Sequence, residues 1–202
     1  VFFAAIAALM NLVMFWFSDK LALNMSKARP VERSEAPQLY EDVEELCGKA
    51  GLPMPTLHLI PNEQPNAFAT GRNPSRSAVA VTEGLLKHMP REQVRAVLAH
   101  ELAHVKNRDI LVTTIAAMIA ASISAIANFL QFSLIFGGRD NRDNSPFALV
   151  GMIAAIVVGP LAAMLLQLGV SRQREYLADA TAAKFLGEGR PLAEALRTLQ
   201  KG

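Results

Sequence analysis

The chain alternates between long apolar runs and polar stretches. Residues 1–17 carry no charge and include Phe2, Phe3, Phe15, Trp16 and Phe17. Residues 110–136 form 27 positions without a charge, and residues 147–170 another 24. A helix needs about 20 apolar residues to cross a bilayer core of about 30 Å. The second and third runs therefore predict transmembrane helices, and the first predicts part of one. A chain that opens on Val1, directly in apolar sequence, reads as a fragment cut inside a longer span. Residues 137–146, with Arg139, Asp140, Arg142 and Asp143, form the loop between the two complete spans.

The polar stretches carry shorter periods. Residues 36–50 place Leu39, Val43, Leu46 and Cys47 on one helical face, and Gly48 and Gly51 close that helix. Residues 56–60 and 77–82 read as strands, and 66–70 as a shorter one before the turn-rich 71–75. Residues 83–88 allow a helical turn. Residues 90–109 predict a strong helix, with Pro90 suited to its start and Val94, Val97, Leu98, Leu102 and Val105 forming an apolar stripe. The expected architecture is membrane α-helical spans plus a small α+β domain. Residues 18–109 supply most of that domain, and residues 171–202 return to it after the last span.

Charge decides the sides. Lys20, Lys27, Arg29 and Arg33 follow the first run, Arg95, Lys106 and Arg108 precede the second, and Arg172 and Arg174 follow the third. By the positive-inside rule, residues 18–109 and 171–202 are cytoplasmic and the 137–146 loop is external. Composition narrows the class further. Apolar residues make up 51% of the chain and charged residues 19%, with a mean hydropathy of +0.25, which excludes a disordered chain. A net charge of +2 argues against nucleic acid as a partner, because binding driven by phosphate neutralisation needs far more. The lone Cys47 excludes a disulfide scaffold and reads as a small buried apolar residue.

Within the strong helix stands His100-Glu101-Leu102-Ala103-His104. Residues four apart share a helix face, so both imidazoles can reach one ion, and neutral imidazole suits Zn²⁺. Glu101 falls beside the metal rather than on it, where it can take a proton from water that the ion has acidified. Catalytic zinc takes a third protein ligand. Glu175 and Asp179 follow the third run on the same side of the membrane, four residues apart. Glu175 can bind the metal while Asp179 accepts a proton from a ligating imidazole. His58, between Leu57 and Leu59, and His88, near a helix end, read as structural.

H-E-L-A-H, two spans and then S-R-Q-R-E-Y-L-A-D together resemble the HtpX family of membrane-integral zinc metalloproteases. These are zincin-like gluzincins related to the CAAX prenyl proteases, and the resemblance extends to the P-N-A-F-A-T-G stretch at residues 65–71. It implies a zinc endopeptidase holding one Zn²⁺ per chain through His100, His104 and Glu175, with Glu101 as the base and Asp179 behind a ligand. It also implies polypeptide substrates, among them misfolded or damaged membrane proteins, cleaved on the cytoplasmic side of the cell inner membrane in a stress response. Asn66, Ala67, Phe68 and Ala69 are then the sheet edge to which a substrate strand adds. Two other readings stay open: a CAAX-type protease of lipidated C-termini, and a metal-binding membrane adaptor without enzymatic activity.

Overall fold

The computed structural model describes residues 20–71, 73–136, 146–187 and 190–199, together with Leu9, Val13, Trp16 and Phe17. At residues 122, 125–136, 146–160, 190, 196 and 199 the backbone alone is described. Two compact units divide the chain: Val1–Met14 with Val112–Arg172, and Phe15–Leu111 with Gln173–Gly202.

The second unit contains a four-stranded sheet of β1 (Arg29–Pro30), β2 (Thr56–Ile60), β3 (Ala67–Thr70) and β4 (Ala78–Thr82), in the order β1-β2-β4-β3. β2 and β4 run parallel, while β1 and β3 pair antiparallel at the two edges. Every residue of the Ala-Val-Ala-Val-Thr stretch in β4 is buried, as a central strand covered on both faces requires. Helices α1 (Pro37–Ala50), α2 (Glu83–His88) and α3 (Arg91–Lys106) follow the sequence periods closely. α1 ends where Gly51 takes a left-handed φ of 65°, and its N–H returns to the carbonyls of Cys47 and Gly48.

Leu46, Leu85, Leu98, Leu102, Val43, Val79 and Val81 are fully buried between helices and sheet. Each such side chain contributes about 1.5–3 kcal/mol on leaving water. Cys47 sits in the same core, and burial pushes its thiol up to about 11, so it is an inert apolar filler as expected. Buried Asp42 on α1 takes ion pairs from Arg91 at 2.9 Å and Arg95 at 3.4 Å, which fastens α1 to α3. One contact was invisible in the sequence. A Cβ added to Gly84, at the start of α2, would run into the backbone carbonyl of Glu63. Gly84→Ala should therefore destabilise the protein by about 1–3 kcal/mol, as overpacking does, measured as a lower melting temperature in detergent; an unchanged melt would disprove the close approach.

The helix expected over 90–109 stops at Lys106. Arg108 adopts φ of 55°, and Asp109 becomes the first residue of α4 (Asp109–Phe136). The run 147–170 and the residues after it form one continuous helix, α5 (Pro146–Leu186), of 41 residues. Gly187 (φ 80°) ends α5, and α6 (Arg190–Leu199) lies against α3. Ala178, Ala182 and Phe185 of α5 and Leu192 and Ala195 of α6 join the core of the second unit.

In the first unit, α4 and α5 expose large apolar side chains, including Val112, Ile115, Ile119, Leu161, Met164, Leu165 and Leu168. Among the described residues no helix is long and apolar enough to cross a membrane. Side chains over much of both apolar runs, most of residues 1–17 and residues 137–145 of the loop expected over 137–146 lie outside the described residues, and Pro146 opens α5.

Candidate metal centre

α3 is built to present its histidines. Pro90 precedes its first turn, Glu92 faces the positive helix end, and His104 and Lys106 occupy the last turn. Ala96, Ala99 and Ala103 are fully buried, so the helix packs closely against its neighbours with no side chain holding them off. One face then carries His100, Glu101 and His104 toward the edge strand β3 and the C-terminal part of α5. That part is held in turn by Ala178 and Ala182, both fully buried, and its Glu175 and Asp179 are four residues apart.

The result is convergence. His100 Nε2 lies 3.1 Å from His104 Nε2 and 3.5 Å from Glu175 Oε2, and His104 Nε2 lies 3.9 Å from that same oxygen. Donor atoms bound at about 2.0–2.1 Å in a tetrahedron stand about 3.3 Å apart, so these separations suit a zinc ion. His100, His104 and Glu175 form the group among the described residues that could hold one.

The opposite side of each ring explains the arrangement. His104 Nδ1 lies 2.5 Å from Asp109 Oδ2, and His100 Nδ1 lies 2.9 Å from Asp179 Oδ1. At His104 the carboxylate accepts only, so it holds the proton on Nδ1 and leaves Nε2 for an ion, while Asp179 stands beside His100 Nδ1 as a charge partner. The two Nε2 atoms and the Glu175 carboxylate thus converge as a donor set that suits a cation. Burial, with the neighbouring His104, lowers the pKa of His100 against the pull of Asp179 and Glu175. The ring is then neutral near pH 7, the form that binds metal.

Glu101 points elsewhere. Its Oε2 accepts the backbone N–H of Ala69 at 2.9 Å, linking α3 to the edge strand. Burial pushes its carboxyl up to about 7, outweighing the lowering by nearby His104 and by the Ala69 bond. A group poised there can both take and return a proton near neutral pH.

β3 separates the four residues expected at the substrate edge. Thr82 N–H donates to the Asn66 carbonyl, and the Thr82 hydroxyl accepts Asn66 N–H while donating to that carbonyl. Asn66 thus turns its main chain inward to Thr82, and its side chain accepts Ala67 N–H. Antiparallel ladders alternate in phase. Phe68 therefore pairs inward with Ala80, while Ala67 and Ala69 turn their carbonyls to the open edge.

Among the residues near the centre, Asp109 and Arg174 were not identified from the sequence. They look like charges flanking apolar runs, and the only local signal is that Asp109 falls five positions after His104. His58 and His88 stand apart from the centre. Burial lowers the pKa of His58 on β2, and His88 Nε2 lies 3.4 Å from Glu63.

The same fold occurs in Ste24p of S. mikatae, whose crystal structure superposes with a TM-score of 0.71. It covers 98% of this chain and 51% of that one at 22% sequence identity. Two curated proteins, each described as "Protease HtpX homolog", are more similar in sequence. The one from Pelotomaculum thermopropionicum is 50% identical over 191 residues, taking in 94% of this chain and 68% of that protein. The one from Aquifex aeolicus is 48% identical over 200 residues, with shares of 97% and 66%. The chain thus spans about two thirds of the length of these relatives. The family described as "Peptidase family M48" matches residues 33–201, which contain every residue of the centre. On that match and on the half of all positions shared with an HtpX homologue, the chain belongs to peptidase family M48 and is a metalloprotease of the HtpX type.

Proposed function

We propose that this protein is a membrane-integral, zinc-dependent endopeptidase that cleaves misfolded or damaged membrane proteins at a cytoplasmic active site. The observation that carries the reading is the meeting of His100, His104 and Glu175 with both Nδ1 atoms backed by carboxylates. These residues would hold the ion, His100 and His104 through Nε2 and Glu175 through a carboxylate oxygen. When bound, zinc supplies Lewis-acid polarisation of a peptide carbonyl and acidifies water.

The remaining work falls to the chain. Glu101 takes the proton of the attacking water and returns it to the leaving amine, a role suited to a carboxyl poised near neutral pH. The Ala67 and Ala69 carbonyls accept N–H groups of an extended substrate added alongside β3. Main-chain bonding of this kind tolerates many sequences, as clearance of damaged proteins demands. Asp179 and Asp109 keep the imidazoles in the metal-binding tautomer.

Membrane placement rests on the uncharged runs of 27 and 24 residues and on the exposed apolar side chains of α4 and α5. A surface of that kind calls for apolar surroundings. Residues 1–17 belong to a first span in this reading, and the basic residues around the other two keep the catalytic unit in the cytoplasm. Removing the metal tests the chemistry. Treatment of the detergent-purified protein with a chelator should abolish cleavage of an unfolded polypeptide, and one equivalent of Zn²⁺ should restore it. Cleavage that survives complete removal of metal would refute the proposal.

A further inference from the structure

Asp109 is almost completely buried, 2% exposed, at the junction of α3 and α4. An ionised carboxylate loses several kcal/mol of hydration on burial unless partners replace the water. Its Oδ2 meets two. One is Nδ1 of His104, and the other is Nε of Arg174 at 3.6 Å. Arg174 immediately precedes Glu175, so one oxygen stands between a histidine of the centre and the helical turn that carries its carboxylate. The backbone is bent to achieve this. Arg108 takes a left-handed φ of 55°, a conformation that costs a non-glycine residue about 1–2 kcal/mol. That single residue ends α3 and starts α4 on Asp109.

We infer that Asp109 is a positioning residue for the metal centre, anchoring His104 directly and the Glu175 turn through Arg174. His104 and Glu175 come from elements about 70 positions apart in sequence, and this oxygen ties them to one reference point. Asp179 has a narrower role, since the partner it backs is His100 alone among the histidines of the centre. The inference rests on the metal site proposed above.

The test is zinc affinity, measured by competition with a chromophoric chelator on the detergent-purified protein, together with the visible spectrum after Co²⁺ substitution. Asp109→Ala should weaken zinc binding about 10–100-fold and broaden or shift the cobalt bands. Asp109→Asn keeps an oxygen for His104 and should recover most of the affinity. Arg174→Gln should weaken binding several-fold in the parent and add nothing in the Asp109→Ala background, because both changes release the same turn. Melting of the metal-free forms identifies variants that fold, and if Asp109→Ala does not, Asp109→Asn and Arg174→Gln with their double variant carry the comparison. Affinities within twofold of the parent in folded Asp109 variants, or fully additive losses, would overturn the anchoring role and leave the metal site standing. A parent that binds no zinc would overturn both.

Discussion

Glu101→Gln is expected to lower proteolysis about 10²–10⁴-fold while the protein keeps one zinc per chain. The two side chains have the same shape, and the Gln carbonyl oxygen can still accept the Ala69 N–H that Glu101 Oε2 accepts at 2.9 Å. The fold and the edge strand are therefore undisturbed. What disappears is the capacity to take a proton near neutral pH, which the carboxyl owes to its burial. Glu101 also stands outside the His100–His104–Glu175 group, so metal content should not fall. Turnover of an unfolded polypeptide, measured beside zinc by elemental analysis, separates the two effects. Activity within tenfold of the parent would remove Glu101 from its role as the base, and loss of zinc would make it a ligand.

Glu175→Ala is expected to strip the metal. The site then retains two imidazoles and no carboxylate donor, short of the three protein ligands that catalytic zinc uses. The loss of affinity should exceed the roughly 10–100-fold that follows removal of an outer partner. The side chain of Glu175 is 54% exposed, so little packing is lost and the metal-free protein should melt near the parent. Added zinc should raise the melting temperature of the parent by mass action and leave that of the variant unchanged. His58→Ala is the matched control: it removes a histidine outside the centre and should leave zinc content intact. Equal zinc binding by parent and Glu175→Ala would transfer the third position to another residue.

These two expectations draw on different kinds of information. The pairing of His100 with His104, and the place of Glu101 beside them, follow from helical periodicity, because residues four apart share a face whatever surrounds the helix. Glu175 was singled out for a less local reason: on the expectation that the two uncharged runs return the chain to one side, it is the first acidic group after them. Cys47, Leu98 and Leu102 were legible as core from the same periods that set α1 and α3. The two-residue β1 was not, since so short a strand has no period and forms only because β2 offers it a partner.

The working detail of the centre belongs to the tertiary structure. Ala69 reaches Glu101 across 32 positions, Asn66 is held by Thr82 across 16, and Gly84 lies against the backbone of Glu63. Asp109 reads locally as the charge that closes one helix, yet it opens the next and turns back to His104 because Arg108 reverses the backbone. Sequence by itself singled out His100, Glu101 and His104 as candidates and the helical face that presents them, since both follow from the residue types and a repeat of 3.6. Which carboxylate backs each imidazole, and which edge carbonyls stay open, was decided only by packing, because a side chain finds partners from distant segments only after burial brings those segments together.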